Sequence, residues 1–316
     1  MKIKFPKFKK LLPGLKKNVS LKNYTTFKIG GPANYFFEAK NKEDLIKAII
    51  TAKKFKLPFF ILGGGSNLLV SDEGFKGLVI KILFSKSYFL NSQISAEAGT
   101  ILGQLISATS NTGLTGLEWA AGIPGTVGGA IYGNAGAFKK SMKNIVREVE
   151  VFDLKNKKIK ILKNKDCKFG YRDSIFKQAN SATLGLRPRG MRMRPCEYKN
   201  LIILSAKLKL KKGNKKKIEK RIKEYLNYRE EKQPLNLPSA GSIFKNPKGF
   251  FAAKLIEKCN LKGKKIGKAQ ISEKHANFIV NLGGGKAKDV KKLINLAKKK
   301  VKEKFGITLE EEIKIF

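Results

Sequence analysis

Cysteine and histidine are scarce in this chain of 316 residues. The three cysteines, Cys167, Cys196 and Cys259, lie far apart, so their spacing indicates neither a disulfide framework nor a zinc site. The single histidine, His275, excludes a site that needs two imidazoles, and it excludes a serine triad unless His275 is the base. We therefore expect a cytoplasmic protein without a bound metal.

Long apolar runs are lacking as well. No stretch reaches the about 20 apolar residues of a membrane-spanning helix, so the sequence predicts no membrane span. Residues 1–17 carry lysines without a long apolar run, which is not typical of a signal peptide. We expect residues 1–22 to form a loose, basic N-terminal arm, with binding to an anionic membrane surface as the alternative.

Arginine is rare although the formal net charge is +43. Such a charge by itself suggests nucleic-acid binding. However, only eight of the 67 basic residues are arginine, the side chain that usually reads base edges, and the lysines occur in nearly every segment. Scattered lysine indicates solvated surface, so we expect no specific nucleic-acid partner.

A triple glycine between two apolar runs is the most informative stretch. It comprises Gly63, Gly64 and Gly65, followed by Ser66 and Asn67. Glycine permits positive φ and close approach to the backbone, and free N–H groups at such a turn can bind an anion. Neither the Walker phosphate loop nor the spaced dinucleotide fingerprint fits. A ligand-binding turn and a plain strand–turn–strand connection both remain open.

A second glycine-rich segment, residues 116–136, contains the only tryptophan. One interpretation is a small-residue helix that packs tightly between layers. We favour the other interpretation, a second wall for an extended ligand, because the segment shares a predicted domain with the triple glycine.

Hydrophobic periodicity predicts a mixed succession of strands and helices. The predicted strands are 34–40, 77–84, 93–98, 201–210, 307–316 and the hairpin 146–153 with 158–162, and the predicted helices are 41–56, 101–109, 215–231, 250–259 and 289–305.

Residues 178–198 differ in composition from both flanks. They hold half of the arginines, namely Arg187, Arg189, Arg192 and Arg194. We expect an exposed insertion without regular structure, and a basic interaction segment is the alternative.

Three further motifs follow the glycine turns: Tyr171-Arg172-Asp173-Ser174, residues 240–247 (AGSIFKNP) and residues 309–313 (LEEEI). In this order the chain resembles the UDP-N-acetylenolpyruvoylglucosamine reductase family, from about residue 23 to residue 316. The resemblance implies an α+β fold: an FAD-binding domain of the vanillyl-alcohol-oxidase (PCMH) type in two subdomains, and a smaller C-terminal α/β substrate domain. The implied division is an arm at 1–22, an FAD-binding domain at 23–212 with the insert, and a substrate-binding domain at 213–316.

The resemblance also implies cofactors and partners. FAD would be bound noncovalently, since no histidine lies near the glycine turns, and NADPH would be the co-substrate. The organic substrate would be a UDP-sugar nucleotide, and we expect a monomer. The residues that match cofactor-binding positions are Gly63, Gly64, Gly65, Ser66, Asn67, Gly122, Gly125, Thr126 and Gly128.

The resemblance assigns the chemistry to three residues. Arg172 matches the arginine that stabilises enolate-like charge, Ser242 the proton donor, and Glu312 a carboxylate that assists the enolate stage. On residue type alone, Arg172 could be a surface arginine, Ser242 a capping hydroxyl, and Glu312 an exposed carboxylate confused with Glu310 or Glu311.

Other positions match less directly. The residues that match substrate-binding positions are Tyr171, Lys232 and Asn246. The chain departs from the family pattern at Glu311 and Lys314, and the insert follows the arginine motif at once. We expect His275, just before a buried strand, to be a hydrogen-bonded histidine that is structural or supports a site residue, rather than a catalytic one.

Overall fold

The computed structural model describes residues 5–181 and 201–316. Most of the predicted insert, 182–198, therefore lies outside the described residues. The chain divides into two compact units, each discontinuous in sequence. Unit 1 comprises Met1–Leu15, Phe37–Gly63 and Ile80–Leu226, and unit 2 comprises Lys16–Phe36, Gly64–Val79 and Asn227–Phe316. The division into an arm at 1–22, an FAD-binding domain at 23–212 and a substrate-binding domain at 213–316 stays a prediction.

Helices and strands alternate along the described chain. The helices are α1 (Phe5–Leu11), α2 (Lys42–Lys54), α3 (Leu102–Asn111), α4 (Val127–Tyr132), α5 (Ile175–Ser181), α6 (Lys215–Lys232), α7 (Ala252–Glu257) and α8 (Ala287–Phe305). The strands are β1 (Lys16–Ser20), β2 (Pro32–Ala39), β3 (Phe59–Leu62), β4 (Leu68–Leu69), β5 (Phe75–Ile82), β6 (Ser87–Leu90), β7 (Gln93–Glu97), β8 (Leu114–Thr115), β9 (Gly136–Ala137), β10 (Lys140–Ser141), β11 (Val146–Asp153), β12 (Lys158–Lys163), β13 (Leu201–Lys209), β14 (Lys211–Lys212), β15 (Ser239–Ser242), β16 (Lys265–Ile266), β17 (Ala269–Ile271), β18 (Phe278–Asn281) and β19 (Lys314–Ile315).

Unit 1 contains a five-stranded antiparallel sheet of order β12-β11-β13-β7-β6. The predicted hairpin is confirmed, with Val149 opposite Leu162 and Asp153 opposite Lys158. Val149 and Val151 are fully buried, as the alternation of a half-buried strand predicts.

Local signals define the helices of unit 1. The side chain of Asn41 accepts a hydrogen bond from the Asp44 N–H and caps α2, which confirms the predicted helix start.

The expectation of a loose N-terminal arm is wrong for its described helix, because α1 and the following turn bury Phe8 and Leu12 completely. Two large apolar side chains in contact with a core hold the segment in place.

Unit 2 is built around a four-stranded antiparallel sheet of order β15-β18-β17-β16, with α7 and α8 packed beside it. The apolar face of α8 has helical spacing, and its buried members are Val290, Leu293, Ile294, Ala297 and Val301. The helix ends at Gly306, where φ of 69° favours glycine.

The predicted last strand is largely wrong. Only Lys314–Ile315 forms a strand, which pairs in parallel with β4, while Glu311 makes an isolated bridge to Phe244. The N–H groups of Glu312 and Ile313 both donate to the Ile243 carbonyl. Regular strand pairing therefore begins only at Lys314. Within the described residues, no helix is long and apolar enough to span a membrane.

Candidate functional site

The first glycine turn, residues 63–67, connects β3 to β4. Gly65 has φ of 66°, and a Cβ there would lie 2.0 Å from the Tyr24 carbonyl oxygen, so a larger residue does not fit. Across the described parts of the chain, the N–H groups of Gly64 and Gly65 find no hydrogen-bond partner. Two successive free amides in such a turn form a nest that can bind an anion.

Asn67 is the last residue of this turn, and it bonds to residues near the end of the sequence through its side chain and its backbone. Its Nδ2 donates to the Glu312 carbonyl oxygen at 3.2 Å, and its own carbonyl accepts from the Lys314 N–H at 3.0 Å. Unit 2 therefore brings the end of the first glycine turn next to the backbone of Glu312.

The second glycine turn lies in unit 1, before α4. Gly122 and Gly125 have φ of 77° and 127°. The Thr126 side chain accepts from the Gly129 N–H at the helix start. Among residues 5–181 and 201–316, the N–H groups of Gly125 and Thr126 have no partner, so they are available to an anion.

Gly128 contributes to packing, whereas the N–H groups of Gly125 and Thr126 are available to a ligand. Its N–H donates to the Ala98 carbonyl at 2.9 Å, so it is not available to a ligand. A Cβ at Gly128 would lie 2.8 Å from the Cβ of Ala98. Gly128 thus permits close packing of α4, as the small-residue interpretation predicts.

Gly63, the residue of the first turn that belongs to unit 1, lies against Thr126 of the second turn. A Cβ at Gly63 would lie 2.8 Å from Thr126 Oγ1. The Lys81 ammonium donates to the Gly63 carbonyl and fixes its direction. Burial lowers the pKa of Lys81, and nearby Glu38 partly counters this.

Arg172 occupies a tight turn of unit 1 in which Gly170 bridges Asp173. Its φ is 54°, in the left-handed region that costs a non-glycine residue about 1 kcal/mol or more. Nη1 donates to the Gly136 carbonyl at 2.8 Å, which places the guanidinium at the end of the second glycine-rich segment. Its Cζ lies 5.7 Å from the centre of the Tyr171 ring.

Asn134 supports this turn and was not identified from the sequence. It is buried, and its Nδ2 donates to the Gly170 carbonyl at 2.7 Å, while its Oδ1 accepts from the Lys143 N–H at 3.0 Å. Its place directly after Gly133 in the glycine-rich segment was the only available sequence signal, and its φ of 43° fits an asparagine.

Ser242 lies at the end of β15 in unit 2, where it pairs with Phe278. Gly241 before it has φ of 76° and turns the chain sharply. Throughout the described sequence no group hydrogen-bonds to Ser242 Oγ, so the capping role considered for this hydroxyl is not observed. The residue is half-buried.

The three consecutive glutamates have different surroundings. Glu310 forms an ion pair with Lys245 at 2.5 Å, and Glu311 forms one with Lys298 at 2.5 Å. The Glu312 N–H donates to the Ile243 carbonyl at 2.8 Å, next to Ser242 in sequence. The Glu312 backbone therefore binds the residue that directly follows Ser242.

The residues matched to substrate binding are exposed. Tyr171 is 58% exposed. Lys232 ends α6, and the adjacent Glu231 carboxylate, 2.6 Å away, raises the pKa of its ammonium. Asn246 is exposed as well, and its Oδ1 accepts from the Ala252 N–H at 3.0 Å, at the start of α7.

His275 differs from the expectation. Its Nδ1 is buried and lacks a hydrogen-bond partner within the described chain, so the prediction of a fully hydrogen-bonded histidine is wrong. The ring contacts Phe278 edge-on at 4.8 Å, and burial lowers the pKa of His275. No group of three His, Cys, Asp or Glu side chains that could hold a metal occurs in the part of the chain that the structure describes.

Comparison with known proteins gives consistent matches along the chain. The family model "UDP-N-acetylenolpyruvoylglucosamine reductase, C-terminal domain" matches residues 233–316, and the model "FAD binding domain" matches residues 33–161. The UDP-N-acetylenolpyruvoylglucosamine reductase of Caldanaerobacter subterraneus subsp. tengcongensis is 44% identical over 299 residues, covering 94% of this chain and 92% of the relative. That of Clostridium novyi is 40% identical over 303 residues, covering 95% and 92%.

A solved structure agrees with these matches. The crystal structure of UDP-N-acetylenolpyruvylglucosamine reductase from Thermus caldophilus has a TM-score of 0.76 and 35% identity, covering 96% of this chain and 99% of that one. Together the matches confirm the predicted fold class, an FAD-binding domain of the vanillyl-alcohol-oxidase type with a smaller C-terminal domain.

Proposed function

The chain belongs to the UDP-N-acetylenolpyruvoylglucosamine reductase family, and we propose that Arg172, Ser242 and Glu312 perform the chemistry of its reaction. The protein is an FAD-dependent oxidoreductase of peptidoglycan synthesis. It reduces UDP-N-acetyl-3-O-(1-carboxyvinyl)glucosamine to UDP-N-acetylmuramate with NADPH. The observation that supports the residue assignment is the Ile243 carbonyl, one residue after Ser242, which accepts a hydrogen bond from the Glu312 N–H at 2.8 Å.

The two glycine turns are the proposed site of the FAD pyrophosphate. The free amides of Gly64, Gly65, Gly125 and Thr126 within the described residues are the kind of donors that a phosphate requires. No histidine lies in either turn, so attachment is noncovalent. Bound FAD supplies the hydride acceptor and donor that links NADPH to the substrate.

Arg172 is proposed to stabilise the charge that develops when the substrate's double bond, which is conjugated to a carboxylate, accepts hydride. Its guanidinium stays charged, and its planar fork suits a carboxylate. The bond to Gly136 and the contact with Tyr171 orient the group within its own unit, so little reorganisation accompanies the reaction.

Ser242 is proposed to give a proton to the second carbon of the double bond. A serine hydroxyl is a weak acid, so negative charge on the substrate and a neighbouring group must assist the transfer. Glu312 is the proposed assisting carboxylate, since it matches the family's carboxylate and its N–H donates to the carbonyl of Ile243, the residue after Ser242.

Tyr171, Lys232 and Asn246 are proposed to bind the UDP-sugar. Lys232 is exposed, and a lysine ammonium can bind a diphosphate as a point charge. We propose a monomer. The free thiols of Cys167 and Cys259 are compatible with the proposed cytoplasmic location.

The flavin proposal is tested by the absorbance spectrum of purified wild type, Gly65→Ala and Gly103→Ala. At Gly65 alanine meets the Tyr24 carbonyl at positive φ, whereas at Gly103, in α3, an added Cβ meets no atom within 4 Å. Wild type and Gly103→Ala should carry flavin that NADPH bleaches and the sugar nucleotide restores, and Gly65→Ala should lose it. Wild type unable to bind FAD would refute the function, and unchanged FAD affinity in Gly65→Ala would refute this turn's role.

A further inference from the structure

Asn277 forms a two-bond contact with the backbone of Phe244. Its Nδ2 donates to the Phe244 carbonyl at 2.8 Å, and its Oδ1 accepts from the Phe244 N–H at 2.9 Å. The side chain is buried, with 3% of the residue exposed. A primary amide used in this way binds both polar groups of one residue, as a neighbouring strand would.

The contact lies two residues from Ser242. Ser242 pairs with Phe278 in the sheet, but after Ser242 the chain leaves β18. The Asn277 carbonyl accepts from the Ile243 N–H at 2.8 Å, and its side chain then holds Phe244. Asn277 therefore continues the ladder past the point where β15 ends.

The opposite edge of the same segment holds Glu312. The Ile243 carbonyl accepts from the Glu312 N–H at 2.8 Å, and Phe244 bridges Glu311. Ile243 is thus bonded to Asn277 through its N–H and to Glu312 through its carbonyl. A displacement of this segment would move Ser242 and Glu312 relative to each other.

Asn277 itself is held by a closed turn. Ser272 Oγ accepts from the N–H groups of Lys274 and His275 at 3.1 and 3.3 Å. The Phe278 N–H donates to the His275 carbonyl at 2.9 Å, which closes the turn just before β18. A side chain presented by such a turn is well placed to set the position of another segment.

We propose that Asn277 is a positioning residue for proton transfer, which holds the Ser242 segment in register with Glu312. The proposal rests on the proposed roles of Ser242 and Glu312. Because Ser242 Oγ has no anchor of its own among the described residues, its position follows from the backbone that Asn277 holds. A displacement of about 1 Å at a reacting group can cost about 100-fold in rate.

Asn281 offers a matched control. It lies in β18, is also 3% exposed, and makes side-chain bonds to the Phe27 carbonyl and to the N–H groups of Gly283 and Gly285. None of these bonds reaches residues 242–244. Asn277→Leu and Asn281→Leu therefore both remove a buried amide, but only the first releases the Ser242 segment.

The test measures the two half-reactions of the flavin-loaded enzyme separately by stopped flow. Asn277→Leu should slow flavin reoxidation by the enolpyruvyl sugar nucleotide about 100-fold and change flavin reduction by NADPH less than about twofold. Asn281→Leu should leave the ratio of the two rates as in wild type. Equal losses in both half-reactions for Asn277→Leu, or the same selective loss in Asn281→Leu, would overturn the proposal.

A second variant, Asn277→Asp, tests the proposal if Asn277→Leu does not fold. In Asn277→Asp, the neutral acid can still donate to the Phe244 carbonyl, whereas the carboxylate faces that carbonyl with a lone pair. Reoxidation should therefore fall as pH rises through the pKa of the introduced acid, without a matching fall in Asn281→Asp. A pH profile parallel to that of wild type would contradict the positioning role.

The Ser242→Ala background separates this inference from the proposed function. If Asn277 acts through Ser242, Asn277→Leu should add less than about threefold to the loss already caused by Ser242→Ala. A full additional 100-fold loss would refute the coupling. If Ser242→Ala alone spares reoxidation, it is the proposed proton donor that fails.

Discussion

Two regions hold their reactive side chains in different ways. In unit 1, the Arg172 guanidinium has its own bond to the Gly136 carbonyl, and Asn134 holds the turn through Gly170. In unit 2, Ser242 Oγ bonds to no other described residue, and Asn277 holds the backbone beyond it.

The difference follows from what each group must do. A cation that stabilises developing charge is most effective when it is oriented in advance, so an anchor on the guanidinium is an advantage. A proton donor must exchange its hydrogen with the substrate, so a permanent partner would compete with the reaction. In each region a buried asparagine holds the backbone near the reactive residue through a side-chain hydrogen bond.

The largest expected effect comes from removing the proposed proton donor, Ser242. Ser242→Ala should slow reoxidation of reduced flavin by substrate by about 10³-fold, because general acid catalysis typically contributes 10²- to 10⁴-fold. Flavin reduction by NADPH should stay near normal, since Ser242 has no role there. Stopped-flow absorbance of both half-reactions checks this, and equal loss in both would reject the assigned role.

The next effect comes from changing the anchored cation. Arg172→Lys keeps the charge but loses the fork that can bind a carboxylate and the Gly136 carbonyl together, so reoxidation should fall about 100-fold. Arg147→Lys, on the exposed face of β11, is the control and should match wild type. If Arg172→Lys turns over at the wild-type rate, charge alone suffices and the contrast between anchored cation and open donor fails.

The smallest effect separates neighbouring carboxylates. Glu311→Gln removes an ion pair with Lys298 that is about one-third exposed, so stability should change by less than about 1 kcal/mol and reoxidation by less than about twofold. Glu312→Gln should slow reoxidation by more than tenfold. Thermal unfolding and stopped flow measure the two quantities, and the reverse order of rates would assign the role to Glu311.

Sequence patterns predicted the elements that have strong local signals. The helix predicted to begin near Asn41 and the hairpin of 146–153 with 158–162 are confirmed. The helix α1 was missed because its short, lysine-rich sequence shows its apolar face only once Phe8 and Leu12 are packed. The strand expected at 307–316 was wrong because the bonds of Glu312 to a distant carbonyl override its local alternation.

The candidate site was predictable only in part. Gly65 could be identified from the triple glycine, but its contact with the Tyr24 carbonyl depends on tertiary structure. Asn277 has no local signature and Asn134 only its place after a glycine, since the importance of both comes from bonds to backbone far away in sequence. The roles of Ser242 and Glu312 came from the family resemblance alone.

The bond between Asn67 and Glu312 joins residues 245 positions apart. Ribosomes add about 5 to 20 residues per second, so the first glycine turn waits roughly 10 to 50 seconds for the strand that completes its surroundings. During synthesis, β4 lacks its β19 partner, and its exposed backbone is a site where chaperones could bind or nascent chains could associate. The surroundings of the first glycine turn are therefore complete only after residues 312–315 have been synthesised.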